Sequence, residues 1–306
     1  MRISLNTQMS TTLLNLDNQQ EQIDQYTQQL SSGTTLSCAS DDPYGWAQVM
    51  NVKQNVREYD SFVSNVKFAT NWGQTTESCL NQLSDLLSQA KQLAISASSA
   101  NMSSQSSTLA TEANGILQDA LNLANSQYGD QYIFAGTSTS TAPYSIDSSG
   151  NVTYSGDTNY IQVKTATGSA TGSSTAVNLT GDDVFSFTSG GQTENVLHEL
   201  WVLQNAISTG DTSTVSSSIT TLTDAFTHVN DELTQTGSQL DNLTTLQSAI
   251  SAVQTNSADT LSNIQDTDVA ATTTKLDAVQ TAYEAALKVT SSLTGLNLAT
   301  ILSSTG

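Results

Sequence analysis

The feature that most limits what this chain can fold into is a matched pair of apolar stripes at its two ends. Val269, Thr272, Leu276, Val279, Tyr283, Ala286, Thr290 and Leu293 recur at alternating steps of three and four, the spacing that lays one continuous seam along an α-helix. Only the apolar Leu296, Leu298, Ile301 and Leu302 follow, so the seam must find its partner upstream or on another chain. Met9, Leu13, Leu16, Gln20, Ile23, Thr27 and Leu30 repeat the same alternation near the other terminus. The two ends are therefore expected to pack on one another.

Helices without a covered face are marginal in water. Residues 1–40 and 265–306 are accordingly expected to be loosely ordered until copies associate, with Leu276, Val279, Tyr283 and Leu287 largely exposed until then. The expected assembly seam consists of Met9, Leu13, Leu16, Ile23 and Leu30 with Val269, Leu276, Val279, Tyr283, Leu287 and Leu293.

Between the ends the period changes twice. Gly33 stops the first helix, and Asp41-Asp42-Pro43 offers a cap followed by a proline in the first turn, where its missing N–H is not needed. A second seam runs from Val49 to Thr70. A third helix is expected after Gly73, with a loop from Ser98 to Ser107 before the pattern resumes at Leu109. Around Tyr132-Ile133-Phe134 helical spacing gives way to short apolar runs separated by turn residues, including Tyr144, Val152, Tyr160, Val163, Val177, Val184 and Phe185. After Gly190-Gly191 helices return, and from Val229 to Ile264 the three-four step is unbroken. Asp266 and Asp268 are placed to cap the final helix.

The expected fold class is mainly α with an all-β insertion, its long coiled-coil-like helices formed by both termini and middle segments in an elongated architecture. Three parts are expected: terminal helices 1–40 plus 265–306, a helical middle domain 41–135 plus 190–264, and a β insertion 136–189. The insertion is expected to protrude and to be dispensable for the core assembly role, its removal leaving the helical seams intact. Polar seam residues Gln20, Thr27, Gln247 and Gln254 are read as register-setting devices.

Composition narrows the function. The 306 residues are 37% apolar and 6% aromatic, lean for a conventional core, and only 12% are charged. A net charge of −20 with eight Lys and Arg leaves no basic patch for nucleic acid or for an anionic membrane surface. No apolar run reaches membrane-spanning length, and Met1 to Leu16 holds no compact apolar segment of the kind a cleaved secretory signal needs. Cys38 and Cys79 lack metal-like spacing and read as two unrelated free thiols, with a bridge between them as the alternative.

Catalytic inventory is thin. His198-Glu199 resembles part of a zinc-protease helix, but position 202 is Val202 where the second histidine would stand. Asp147-Ser148-Ser149-Gly150-Asn151 lacks the distal glutamate of a calcium loop and is explained by a hairpin turn. No catalytic, cofactor-binding or metal site is expected, and no cofactor.

Several motifs carry a resemblance. Met1-Arg2-Ile3-Ser4, Gln29-Leu30-Ser31-Ser32-Gly33 and Ser40-Asp41-Asp42-Pro43 open the chain. Leu261-Ser262-Asn263-Ile264-Gln265-Asp266-Thr267-Asp268 and Ala282-Tyr283-Glu284-Ala285-Ala286-Leu287 lie near its end. Tyr132-Ile133-Phe134-Ala135-Gly136-Thr137 and Gly181-Asp182-Asp183-Val184-Phe185 border the strand-rich part. Together they resemble the flagellin-like axial proteins of the bacterial flagellum, and within them the hook-associated protein type 3 family. Pro43 after the acidic pair is more like that family than like flagellin.

The resemblance implies a non-enzymatic structural protein of the hook–filament junction that associates with itself, with hook-associated protein type 1 and with flagellin. It further implies export without a cleaved signal peptide to an extracellular flagellum, with a cytoplasmic chaperone on the C-terminal segment. Two alternatives stand beside it: a flagellin-type filament subunit, and a Ser/Thr-rich surface adhesin.

Overall fold

The computed structural model describes residues 5–99, 102–166 and 174–304. Contacts divide the chain into two compact units, 1–57 with 253–306, and 58–252.

The first unit holds both ends. Helix α1 (Leu5–Ser32) pairs with the last helix, Val269–Ser304. Gly33, at φ +73°, ends α1 in the left-handed conformation that glycine adopts without a Cβ clash, and its N–H donates to the Gln29 carbonyl at 2.9 Å. Beyond it the two linkers form a clasp. Thr34 and Asp266 make an antiparallel bridge, Thr35 N–H donates to the Gln265 carbonyl (2.7 Å), and Thr267 N–H donates to the Gly33 carbonyl (2.9 Å). Asp268 caps the last helix through the Ala271 N–H at 3.0 Å. Asp266 instead accepts from the Ser262 hydroxyl and serves the clasp.

Helix α2 (Pro43–Ser99) begins as its sequence indicates. Pro43 occupies the first turn, and Asp42 Oδ1 accepts from the Tyr44 N–H at 3.0 Å. Asp41 turns back to accept from the Cys38 thiol and the Ser37 and Cys38 N–H groups, which hold its carboxyl below the usual carboxylate range.

The second unit departs from expectation at several points. Helix α2 runs without a break through Gly73. The glycine is buried, and a Cβ there would stand 2.8 Å from Leu240 Cδ2, so Gly73 permits a close approach to a neighbouring helix rather than ending its own. The anticipated Ser98–Ser107 loop is also largely helical: α2 continues to Ser99 and α3 (Met102–Ala124) begins three residues later. Serine is only mildly unfavourable inside a helix, and packing of the flanking turns overrides that preference.

The strand-rich part consists of four separate antiparallel pairs, not one sheet. They are β1 (Gln127–Tyr128) with β2 (Gln131–Tyr132), β3 (Tyr144–Ile146) with β4 (Val152–Tyr154), β5 (Gln162–Lys164) with β6 (Ser174–Ala176), and β7 (Ser186–Ser189) with β8 (Gln192–Asn195). Val184 and Phe185 belong to a short helix, α4 (Gly181–Phe185), because Thr180 and Asp183 form a capping box that closes its first turn. Helices α5 (Val196–Thr209), α6 (Thr212–Gln265) and α7 (Val269–Ser304) complete the chain.

These pairs are not a separable appendage. Phe134, Tyr144, Val177, Val184, Phe185 and Phe187 share one hydrophobic core with Trp72, Leu80 and Leu87 of α2, Leu117 of α3, Leu200 of α5 and Leu222 of α6. Two-stranded pairs of two to four residues cannot hold themselves together in water, so they are carried by the helices. Polar anchors tie several of these segments to the helices. The Lys164 ammonium meets Glu58 at 3.1 Å and lies over the Phe62 ring, while Asn65 Nδ2 donates to the Lys164 carbonyl at 2.7 Å. His198 Nδ1 donates to the Gly150 carbonyl and His228 Nε2 to the Asp183 carbonyl, both at 2.8 Å. Excision of the segment would uncover that shared core.

Candidate functional site

The seam between α1 and α7 is the arrangement most unlike an ordinary globular surface. On α7 the residues withdrawn from solvent are Thr272, Leu276, Val279, Tyr283, Ala286 and Thr290, and every other described side chain of that helix is exposed. This is the stripe that the spacing picks out. It is covered within a single chain, so Leu276, Val279 and Tyr283 are half-buried rather than largely exposed. Val269, at 60% exposure, and Leu287, at 44%, remain outside it. Leu293 lies on α7, but its side chain is outside the described residues, as are those of Leu296, Leu298, Ile301 and Leu302.

On α1 the register shifts. The withdrawn residues are Thr12, Leu16, Gln19, Ile23, Tyr26, Gln29 and Leu30. Leu16, at 7% exposure, Ile23 and Leu30 are common to this set and to the expected one, whereas Met9, Leu13, Gln20 and Thr27 are exposed. The cause is a degeneracy of the repeat. Leu16, Ile23 and Leu30 are spaced by seven, and a three-four alternation can be completed on either side of them. The side taken carries Tyr26, whose ring offers more apolar area than Thr27, and this aromatic was the sequence signal that separates the two choices. It also places the Gln19 Oε1 atom in a buried position with no hydrogen-bond partner, so the amide inside the seam is Gln19, not the expected Gln20.

Groups with reactive potential do not converge elsewhere. Among the described residues no cluster of three His, Cys, Asp or Glu is placed to hold a metal ion. His198 and His228 each commit one ring nitrogen to a backbone carbonyl. Both cysteines are free thiols; Cys38 is exposed, and burial pushes the Cys79 thiol up, away from the thiolate that a nucleophile requires. The Asp147 turn closes on itself, Oδ1 accepting from the Ser149 and Asn151 N–H groups at 2.8 and 2.9 Å. A cleft of about 620 Å³ in the second unit is lined by Asp182, Asp224, Asp231, His228 and hydroxyl side chains. No helix among the described residues is long and apolar enough to cross a membrane.

Comparison with known proteins places this arrangement in context. Residues 3–139 match the family model for the bacterial flagellin N-terminal helical region. The chain is 27% identical to flagellar hook-associated protein 3 of Escherichia coli K12, across 97% of its own length and 98% of that protein's. It is 30% identical to flagellar hook-associated protein 3 of Salmonella typhimurium LT2 over 47% of its length and 46% of that protein's. In fold it is similar to a putative flagellar hook-associated protein from Vibrio parahaemolyticus, with a TM-score of 0.65 at 21% identity over 74% of this chain and all of that one. It is also similar to the flagellar junction protein FlgL of Legionella pneumophila, with a TM-score of 0.58 at 18% identity over 72% of this chain and all of that one.

Proposed function

We propose that this chain is a structural subunit of the bacterial flagellum at the junction between hook and filament. The observation that carries the reading is the end-to-end similarity to flagellar hook-associated protein 3, which spans 97% of the chain and so takes in both terminal helices. The α1–α7 pair supports it physically: a helical hairpin whose seam is filled within one chain still leaves Met9, Leu13, Leu14, Val269, Leu287 and Val289 exposed, and apolar side chains of that kind gain stability by packing on neighbouring subunits.

The role is mechanical rather than catalytic. The expected seam residues Met9, Leu13, Leu16, Ile23, Leu30, Val269, Leu276, Val279, Tyr283 and Leu287 then divide into two jobs, while the side chain of Leu293 lies outside the described residues. Leu16, Ile23, Leu30, Leu276, Val279 and Tyr283 hold the hairpin together, and Met9, Leu13, Val269 and Leu287 face other subunits. In this reading the neighbours are further copies of the chain, hook-associated protein type 1 and flagellin. The protein is exported to the extracellular flagellum, and a chaperone covers the C-terminal segment beforehand.

Electron microscopy of cells lacking the protein tests the proposal. Bare hooks with flagellin released into the medium are the expected result. Hooks carrying normal filaments would refute it.

A further inference from the structure

The second unit holds one carboxyl that its packing leaves without a partner. Glu199, in the first turn of α5, is 7% exposed, and among the described residues no base pairs with it. The Ser218 hydroxyl of α6 stands beside it, near enough to favour its charge. Yet Ser218 is 1% exposed, and its oxygen closes a hydrogen bond with nothing. The ionisable groups that act on the carboxyl are Glu194 of β8, which opposes its charge, and His198, the preceding residue, which favours it; α3 and α6 turn none toward it. Burial outweighs the favourable contacts and raises the carboxyl above its ordinary value of 4.5. A carboxylate in such a place gains by reaching water.

The same turn of α5 supports another element on its other side. His198 Nδ1 donates to the Gly150 carbonyl at 2.8 Å, and the His198 and Trp201 rings stack with centroids 6.2 Å apart. Gly150 lies so close to Trp201 that a Cβ would fall 2.3 Å from its ring. This glycine is the buried tip of the β3–β4 hairpin. Strands β3 and β4 have three residues each, too few to hold together alone, so the position of the tip depends on where the first turn of α5 sits.

We infer that Glu199 makes the seat of the β3–β4 hairpin sensitive to pH: as the medium becomes less acidic, the carboxylate draws the first turn of α5 away from α6 toward water, and the Gly150 tip is released with it. Opening at a helix start breaks the contacts of one turn, whereas unfolding of the unit uncovers the whole core, so the local route is the less disruptive one. Opened, the carboxyl returns to its ordinary value; closed, it holds its proton more tightly. The closed form is therefore favoured most below about pH 4.5 and loses ground as pH rises from there toward the closed-state value. The device lies within the second unit and is independent of the flagellar role.

Hydrogen–deuterium exchange of the full chain at pH 5 and pH 8, read by mass spectrometry and corrected for the intrinsic rate at each pH, tests this against Glu199→Gln. Titration of other groups acts on both proteins and divides out of their ratio. At pH 8 the amides of segments 144–154 and 196–203 should exchange several-fold faster in the parent than in E199Q, and at pH 5 that excess should largely vanish. Glu199→Leu, which removes the ionisable group with little change of volume, should give the same pair of ratios. A ratio near one at pH 8 for either variant, or an excess equal at both pH values, would overturn the inference. So would an excess spread evenly over the core helices, because Glu199 would then weaken the whole unit without opening the turn.

Discussion

A charge placed in the seam should unfasten the terminal hairpin while leaving the second unit folded, and Leu16→Asp is the sharpest form of the test. Leu16 is 7% exposed, so its burial contributes roughly 1.5–3 kcal/mol. An unpaired carboxylate in its place adds a desolvation cost of at least about 1–3 kcal/mol. The sum, roughly 2.5–6 kcal/mol, is large against a two-helix pair whose members are marginal alone. Helices α1 and α7 have 28 and 36 residues, about three tenths of all the residues in described helices. Far-ultraviolet circular dichroism of L16D should therefore lose helical signal up to that fraction at 25 °C, while the main melting transition, which reports the core around Trp72 and Leu87, stays within a degree or two of the parent. Ala282→Asp is the control, because Ala282 is exposed on the hairpin's flank and should leave the helical signal intact. Full helical signal in L16D would refute the intrachain seam. Equal loss in A282D would show that the flank, not the seam, holds the pair.

Two further predictions concern the second unit. Burial raises the Glu199 carboxyl above its ordinary value of 4.5; the folded state then binds its proton more tightly than the unfolded chain, so the residue destabilises the fold increasingly as pH rises above 4.5. Glu199→Gln should raise the melting temperature at pH 7 and change it little at pH 4, and calorimetry showing no gain at pH 7 would refute this. Gly150 sits at φ +85°, and a Cβ there would fall 2.3 Å from the Trp201 ring; Gly150→Ala should cost at least about 1–3 kcal/mol, read as a lower urea midpoint, and an unchanged midpoint would mean the turn is not seated on Trp201.

The strictly local features were legible in the residues. The three-four spacing marks the terminal helices and the whole of the α7 seam, Asp42-Pro43 sets the start of α2, Asp268 caps α7, and Gly33 ends α1. Each depends on interactions within a turn or two of chain, so neighbours in sequence suffice to specify it. What only the tertiary structure decided is nonlocal. Leu16, Ile23 and Leu30 serve either of two stripes on α1, and the choice fell to the side bearing Tyr26 once α7 lay against it. Gly73 looks like a helix stop in isolation and becomes a contact point only when Leu240 occupies the space a Cβ would take. The strand runs are too short to be stable alone, so whether they formed a protruding domain or part of a common core was set by the helices beneath them, through His198, His228 and Lys164. Periodicity tells which residues share a face of a helix; which face is buried depends on what packs against it, and that partner lies far away in the sequence.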